Sequence, residues 1–149
     1  MSLSTRVGRR NGGNAVAKTR FEIVAVVVEK EMAKAYRYGT ADCFFFGCRV
    51  ADALDKRLKL TSTYRGSYKT LLGAQRALRR RGFKSLVDLF ATHLEPCAPA
   101  AARMGDVVIL QLDNAEHVGI CNGARFVTKT ERGRSFHDLS AVKAAFHVG

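Results

Sequence analysis

The sequence predicts an α+β domain in which the helices come first and the strands follow. From residue 20 to about residue 90, apolar side chains recur at the spacing of helices, whereas residues 107–128 consist largely of β-rich runs. Asn122-Gly123 separates two of these runs and is among the strongest signals for a two-residue hairpin. Because 149 residues suffice for one core of ordinary size, we predict a single domain over residues 19–149.

Residues 1–18 differ in composition from the rest of the chain. They contain several basic residues among Gly, Asn and Ser, namely Arg6, Arg9, Arg10 and Lys18. Such a segment has too little apolar area to offset the entropy of ordering, so we predict a flexible basic arm. Two interpretations stay open for this arm, which are electrostatic docking onto an acidic partner and a solubilising tail.

Capping residues and helical periodicity predict four helices. They run from about Arg20 to Ala35 after Thr19, from Cys43 to about Leu58 after Asp42, from Ser67 to a Gly82 cap, and over a short segment after Ser85. The second of these is apolar over most of its circumference, which is typical of a buried helix. The third ends in a cluster of arginines, and cations at a helix C-terminus suit the dipole as well as they suit nucleic acid.

The second half of the sequence predicts strands. Their ranges are Val107–Leu112, His117–Cys121 and Ala124–Thr128, while Pro96 to Ala102 is expected to be a loop and Asp138 to Phe146 a short helix. With Asn122-Gly123 as the loop, His117 lies opposite Thr128, and opposed residues share a face of the sheet. Gly119 on that face leaves space for another element to approach.

Cys43 is a candidate nucleophile because it follows the helix cap Asp42. On the first turn of a helix, free N–H groups and the helix dipole favour the thiolate form. The alternative is that Cys43 is a small apolar residue of a core helix. Cysteine catalysis requires three groups, which the sequence offers as Cys43 at a helix start, His117 at a strand start and the polar Thr128 beside it. The histidine takes the thiol proton and later gives it to the leaving amine, and the third group orients the histidine.

Cysteine spacing and charge limit the cofactors and partners. The four cysteines form no C-x-x-C pair and no zinc-type spacing, so we expect free thiols with neither a metal nor another cofactor. A net charge of +12 indicates an anionic partner, which could be nucleic acid, an anionic envelope polymer or an acidic subunit. The N-terminus lacks the pattern of a signal peptide, and no apolar stretch is long enough to span a bilayer.

Four motifs follow one another in the chain: Tyr36-x-Tyr38-Gly39, Asp42-Cys43 with an apolar run, Gly105-Asp106-Val107-Val108 and His117-Val118-Gly119-Ile120. In order and character they resemble the NlpC-type cell-wall cysteine peptidases, a branch of the papain-like superfamily. The resemblance covers roughly residues 20 to 130. The segment from Tyr64 to Tyr68 and the ending Phe146 to Gly149 are similar to short, divergent members that phages often encode.

The resemblance implies a papain-like α+β fold, with N-terminal helices packed on a small antiparallel sheet. It implies that Cys43 is the nucleophile and His117 the base, that Tyr36 helps the cysteine N–H to hold the oxyanion, and that Thr128 occupies the third catalytic position. The implied reaction is cleavage of amide bonds in peptidoglycan stem peptides, without a metal, by a protein of the phage virion or of the host cytoplasm before release. The sequence departs from the family at Phe44-Phe45, where Ser-Gly is usual, and at Thr128, where His, Asn or Gln is common.

Two other functions stay open. One is a catalytically weak, basic component of a phage tail or head–tail assembly that contacts wall polymer or other virion proteins through residues 1–18. In this function nucleic acid is a possible partner but is not the favoured one. The other is a different papain-like activity of the same residues, such as deamidation or acyl transfer on a protein.

Overall fold

A computed structural model describes residues 17–149 of the chain, so nearly all of the predicted basic arm lies outside the described residues. The helices are α1 Arg20–Met32, α2 Cys43–Leu54, α3 Leu60–Tyr64, α4 Leu71–Arg80 and α5 Leu86–His93. The strands are β1 Glu95–Cys97, β2 Val107–Leu112, β3 Ala115–Cys121, β4 Phe126–Thr130, β5 Gly133–His137 and β6 Val142–His147. Short 3-10 turns lie at Pro99–Ala101 and Leu139–Ala141.

The strands form one antiparallel sheet in the order β1-β6-β2-β3-β4-β5, which confirms the α+β class. Helices α1 and α2 pack on one face of the sheet, where Val118 and Ile120 join the main core. A second, smaller apolar cluster around Val108 and Leu110 lies on the other face. Within residues 17–149, no helix is long and apolar enough to cross a membrane.

Three of the four predicted helix starts are confirmed. The Thr19 hydroxyl accepts from the N–H of Glu22 in a full capping box. Asp42 and Ser85 cap α2 and α5 through one side-chain acceptance each, from the N–H of Phe45 and of Asp88. The predicted ends are less accurate, since α1 ends at Met32 and α2 at Leu54. Helix α4 begins after Thr70 rather than at Ser67, and α3 was not predicted.

Two predictions at the sheet edge are wrong. The segment Asp138 to Phe146, predicted as a helix, forms a 3-10 turn and then β6, which pairs with both β1 and β2. The segment from Pro96 to Ala102, predicted as a loop, begins with the last two residues of β1. Both segments take their conformation from pairing with distant strands, and local pattern does not reveal such pairing.

The predicted register of the β3–β4 hairpin is also wrong. The connection spans residues 122–125, and the Asn122 N–H donates to the Arg125 carbonyl at 2.7 Å, so that Cys121 pairs with Phe126. Thr128 therefore lies opposite Gly119 instead of His117. Strands β3 and β4 pair only over residues 119–121 of β3, and they have separated where His117 is reached.

Helix α2 approaches the sheet through a glycine of its own. A Cβ atom added to Gly47 would lie 2.3 Å from Cγ1 of Val118, so helix and strand touch at this point. The expectation that Gly119 provides this space is wrong, because Gly119 lies on the opposite face against Leu110 and Val108. The close packing of α2 on β3 sets the position of Cys43.

Candidate active site

One cavity brings together three of the four predicted site residues. Cys43, Tyr36 and His117 all line a cleft of about 430 Å³ between the start of α2, the start of β3, and helices α4 and α5. Thr128 does not line it. The cleft is where we place the candidate active site.

Asp42 fixes the start of α2 and thereby the position of Cys43. Its carboxylate is buried, and it accepts from the N–H of Phe45 at 3.0 Å and from the N–H of Gly39 at 2.9 Å. The Tyr68 hydroxyl also donates to it. A single side chain thus joins the loop before α2, the first turn of α2 and the loop before α4.

The Cys43 thiol lies beside the backbone of Val118 in β3. Burial raises its pKa to about 11, although hydrogen bonding to the Val118 backbone and to Tyr36 acts in the opposite direction. The nearby charge of Asp42 raises the pKa as well. The raised pKa favours the neutral thiol, whereas its place on the first helical turn was expected to favour the thiolate.

Thr128 also binds the backbone of Val118. Its buried hydroxyl donates to the Val118 carbonyl at 2.6 Å. The structure therefore does not bring Thr128 to His117, and its contact is to the strand that borders the thiol. The sequence could not reveal this, because a shift of two residues in register keeps Thr128 on the face that Gly119 and His117 would share in a regular hairpin but moves it along the strand.

The Tyr36 hydroxyl lies beside Cys43. Burial and the neighbouring thiol raise the pKa of Tyr36, while a hydrogen bond with the Cys43 backbone lowers it. The Tyr36 ring contacts that of Tyr38 edge to face, with ring centroids 5.3 Å apart. This places a hydroxyl donor next to both the thiol and the first N–H of α2.

His117 lines the same cleft from the start of β3. Burial lowers its pKa, the charge of His137 lowers it further, and that of Asp113 raises it. The ring has no hydrogen-bond partner among residues 17–149. The lowered pKa favours the neutral imidazole. The prediction that His117 contacts Cys43 directly stays a prediction.

A second cluster of cysteine, histidine and aspartate lies away from the cleft. One ligand atom from each of Cys97, Asp106 and His147 lies within 4.8 Å of the others. However, Asp106 already accepts from His147 Nδ1 at 2.8 Å and from Arg20 Nη2 at 2.9 Å. The Arg103 guanidinium also lies against it. Two guanidinium groups at the carboxylate disfavour a bound cation, so we assign this cluster a structural role.

Comparison with known protein families assigns the chain to one family. The family described as "Domain of unknown function (DUF6950)" matches residues 17–148. The chain belongs to the DUF6950 family. No curated protein matches the chain. Because the family match spans Tyr36, Cys43 and His117, the cleft lies inside the DUF6950 domain.

Proposed function

We propose that this DUF6950 protein is a cysteine hydrolase, namely an amidase or endopeptidase. The observation that carries the proposal is that one cleft is lined by a thiol on the first turn of a buried helix, the imidazole of His117 and the hydroxyl of Tyr36. Each of these groups has a defined task in thiol-mediated acyl transfer.

In the proposed mechanism, substrate binding brings His117 within reach of the thiol. The imidazole takes the thiol proton as Sγ attacks the amide carbon, and the resulting oxyanion accepts hydrogen bonds from the Cys43 N–H and the Tyr36 hydroxyl. His117 then gives its proton to the leaving amine. Water attacks the thioester with His117 again acting as the base, which releases the acid and restores the thiol.

For the substrate, we propose the amide bonds of peptidoglycan stem peptides, and for the setting a phage virion or the lysis of its host. The support is the resemblance of the four motifs to the NlpC-type peptidases. A net charge of +12 also suits an anionic envelope polymer.

The test is digestion of purified peptidoglycan with mass analysis of the released peptides. We expect Cys43→Ala and His117→Ala each to abolish release while the fold is kept, because neither change opens a large cavity. Cys97→Ala, which alters a thiol outside the cleft, is the matched control and should stay active. Full activity of Cys43→Ala would refute the proposal.

A second candidate is the basic, weakly catalytic binding component. The observation that favours it is the end of α4, where Arg76, Arg79 and Arg80 are exposed and form no ion pair among residues 17–149.

If this function is correct, binding to an anionic polymer should weaken steeply between low and moderate salt, because such binding depends on screened charges and counterion release. The triple change of these arginines to Gln should weaken binding with the fold intact, and salt-independent affinity would exclude this function.

A further inference from the structure

The cleft extends away from Cys43 along an apolar wall. Helix α4 contributes Leu71, Ala74, Ala77 and Leu78, and α5 contributes Leu86 and Leu89. Aromatic rings of Phe44, Tyr64 and Tyr68 complete this part of the lining. The wall is therefore suited to an apolar group of the substrate.

Helix α4 buries few of its apolar side chains in the core. Ala77 is its one fully buried residue, and Leu71 is 55% exposed although it lines the cleft. The helix begins at a Thr70 cap and is closed by the bond from the Phe83 N–H to the Leu78 carbonyl. The apolar side chains of α4 are thus held in place but remain available to a ligand.

Two carboxylates and one guanidinium line the cleft, and they differ in whether a group of the protein already pairs with them. Asp42 is satisfied as described above, and Glu116 accepts from the Leu86 N–H and from Lys143, both at 2.9 Å. The Arg81 guanidinium lies over the Tyr64 ring at 4.8 Å, and it has no carboxylate within ion-pair distance among residues 17–149. The cleft therefore offers a positioned cation without an anionic partner from the described part of the chain.

We propose that the substrate is a peptide amide with a bulky apolar side chain, seated between α4 and α5, and a carboxylate that pairs with Arg81. This inference rests on the proposed role of Cys43 as the reacting group. It departs from the peptidoglycan substrate proposed above, because stem peptides with carboxylates but only short side chains would use the Arg81 contact and leave the apolar wall empty.

Labelling of Cys43 tests this without requiring hydrolysis. The probes are N-iodoacetyl-phenylalanine, N-iodoacetyl-glycine and N-iodoacetyl-phenylalanine amide, whose rates are normalised to their reaction with a free thiol. In each, a bond from Sγ to the probe CH₂ forms, the C–I bond breaks, iodide leaves and the thiol proton passes to solvent. We expect the first probe to exceed the second by about tenfold through apolar burial, and the third by about threefold through the exposed ion pair.

Variants assign each preference to its contact. Leu78→Asn should remove the preference for phenylalanine over glycine, and Leu71→Asn, at an exposed position, serves in case Leu78→Asn does not fold. Arg81→Gln should remove the preference for the free carboxylate. Leu72→Asn and Arg76→Gln alter exposed residues of α4 outside the lining and should leave both preferences unchanged.

The outcomes separate this inference from the proposed function. Equal normalised rates for the three probes, or preferences that the control variants remove, would overturn the inference. Release of peptides from peptidoglycan without these labelling preferences would overturn the inference about the substrate but not the proposed hydrolase function. Preferences without hydrolysis of any peptide would overturn the proposed function and leave a binding site of the stated chemistry.

Discussion

At the scale of single residues, the neutral Cys43 thiol sets a requirement on any reaction in the cleft. A helix N-terminus stabilises a charge by about 0.3 to 1 kcal/mol at exposed positions. Removing a charge from water costs several kcal/mol, so burial dominates and the pKa rises to about 11. The lowered pKa of His117 likewise favours its neutral form. The proposed hydrolysis therefore requires the thiol to lose its proton when substrate binds, because both pKa shifts disfavour a thiolate–imidazolium pair in the free protein.

Thr128 is the residue whose role changes most. The change Thr128→Val keeps the shape of the side chain but leaves the Val118 carbonyl without the hydroxyl that binds it at 2.6 Å. An unsatisfied buried acceptor costs roughly 1 to 3 kcal/mol, so we expect a loss of this size in the free energy of unfolding, measured by urea titration. Thr128→Ser retains the hydroxyl and is the control.

The same variants separate the two roles considered for Thr128. If the hydroxyl acts through Val118, Thr128→Val should also change the rate at which Cys43 is alkylated, because the Val118 backbone lowers the pKa of the thiol. Unchanged stability and unchanged alkylation in Thr128→Val would contradict this role.

At the scale of elements, the predictable features were local and the others depended on distant pairing. Asp42 and Thr19 predicted helix starts because a cap acts within three residues along the chain. Asn122-Gly123 predicted the hairpin but not its register, since the turn extends to Arg125 and the strands then pair two residues further along. The two sheet neighbours of β6 are remote in sequence, and its helix-like composition gave no indication of them.

The loop before α2 depends on Gly39. Its φ is +89°, and an added Cβ would lie 2.0 Å from the Tyr68 carbonyl oxygen, so an alanine there meets both backbone strain and a clash with main chain. We expect Gly39→Ala to lower the free energy of unfolding by more than about 2 kcal/mol. Loss of the contact between this loop and Tyr68 should also reduce any activity, because the loop carries Tyr36.

Gly66→Ala is the matched control for that experiment. Gly66 has a φ of +78°, but no atom lies within 4 Å of an added Cβ, so this variant shows the cost of the backbone conformation alone, of about 1 kcal/mol. The difference between the two variants in urea unfolding measures the close approach of the two loops. Equal losses would show that this approach contributes nothing.

At the scale of the whole molecule, Asp106 joins segments that are far apart in sequence. Its fully buried carboxylate binds Arg20 of α1, Arg103 of the loop before β2, and both His147 and the Val148 N–H near the chain end. Burial acts to raise the pKa of Asp106, but hydrogen bonds from Arg103, His147 and Val148 outweigh it and hold that pKa below its ordinary value. The carboxylate thus links the first helix, the central strand and the last strand through its charged form.

This arrangement predicts how stability depends on pH. Because its pKa is lower in the folded protein than in the unfolded chain, Asp106 contributes stability that is fully present above an unfolded pKa of about 3.9 and is lost as the pH falls through the folded value.

At pH 7, Asp106→Asn should lower the free energy of unfolding by about 3 kcal/mol, because it removes the charge that two guanidinium groups face. The loss relative to wild type should begin to shrink below about pH 4, where Asp106 of the unfolded chain becomes protonated, and should shrink further as the pH falls toward the lower pKa of the folded protein. Urea titrations from pH 7 to pH 3 measure both effects, with Glu29→Gln as the control, since Glu29 forms an exposed pair with Arg134 that is worth at most about 1 kcal/mol. A wild-type advantage that stays constant over this range would show that the charge of Asp106 does not join these segments.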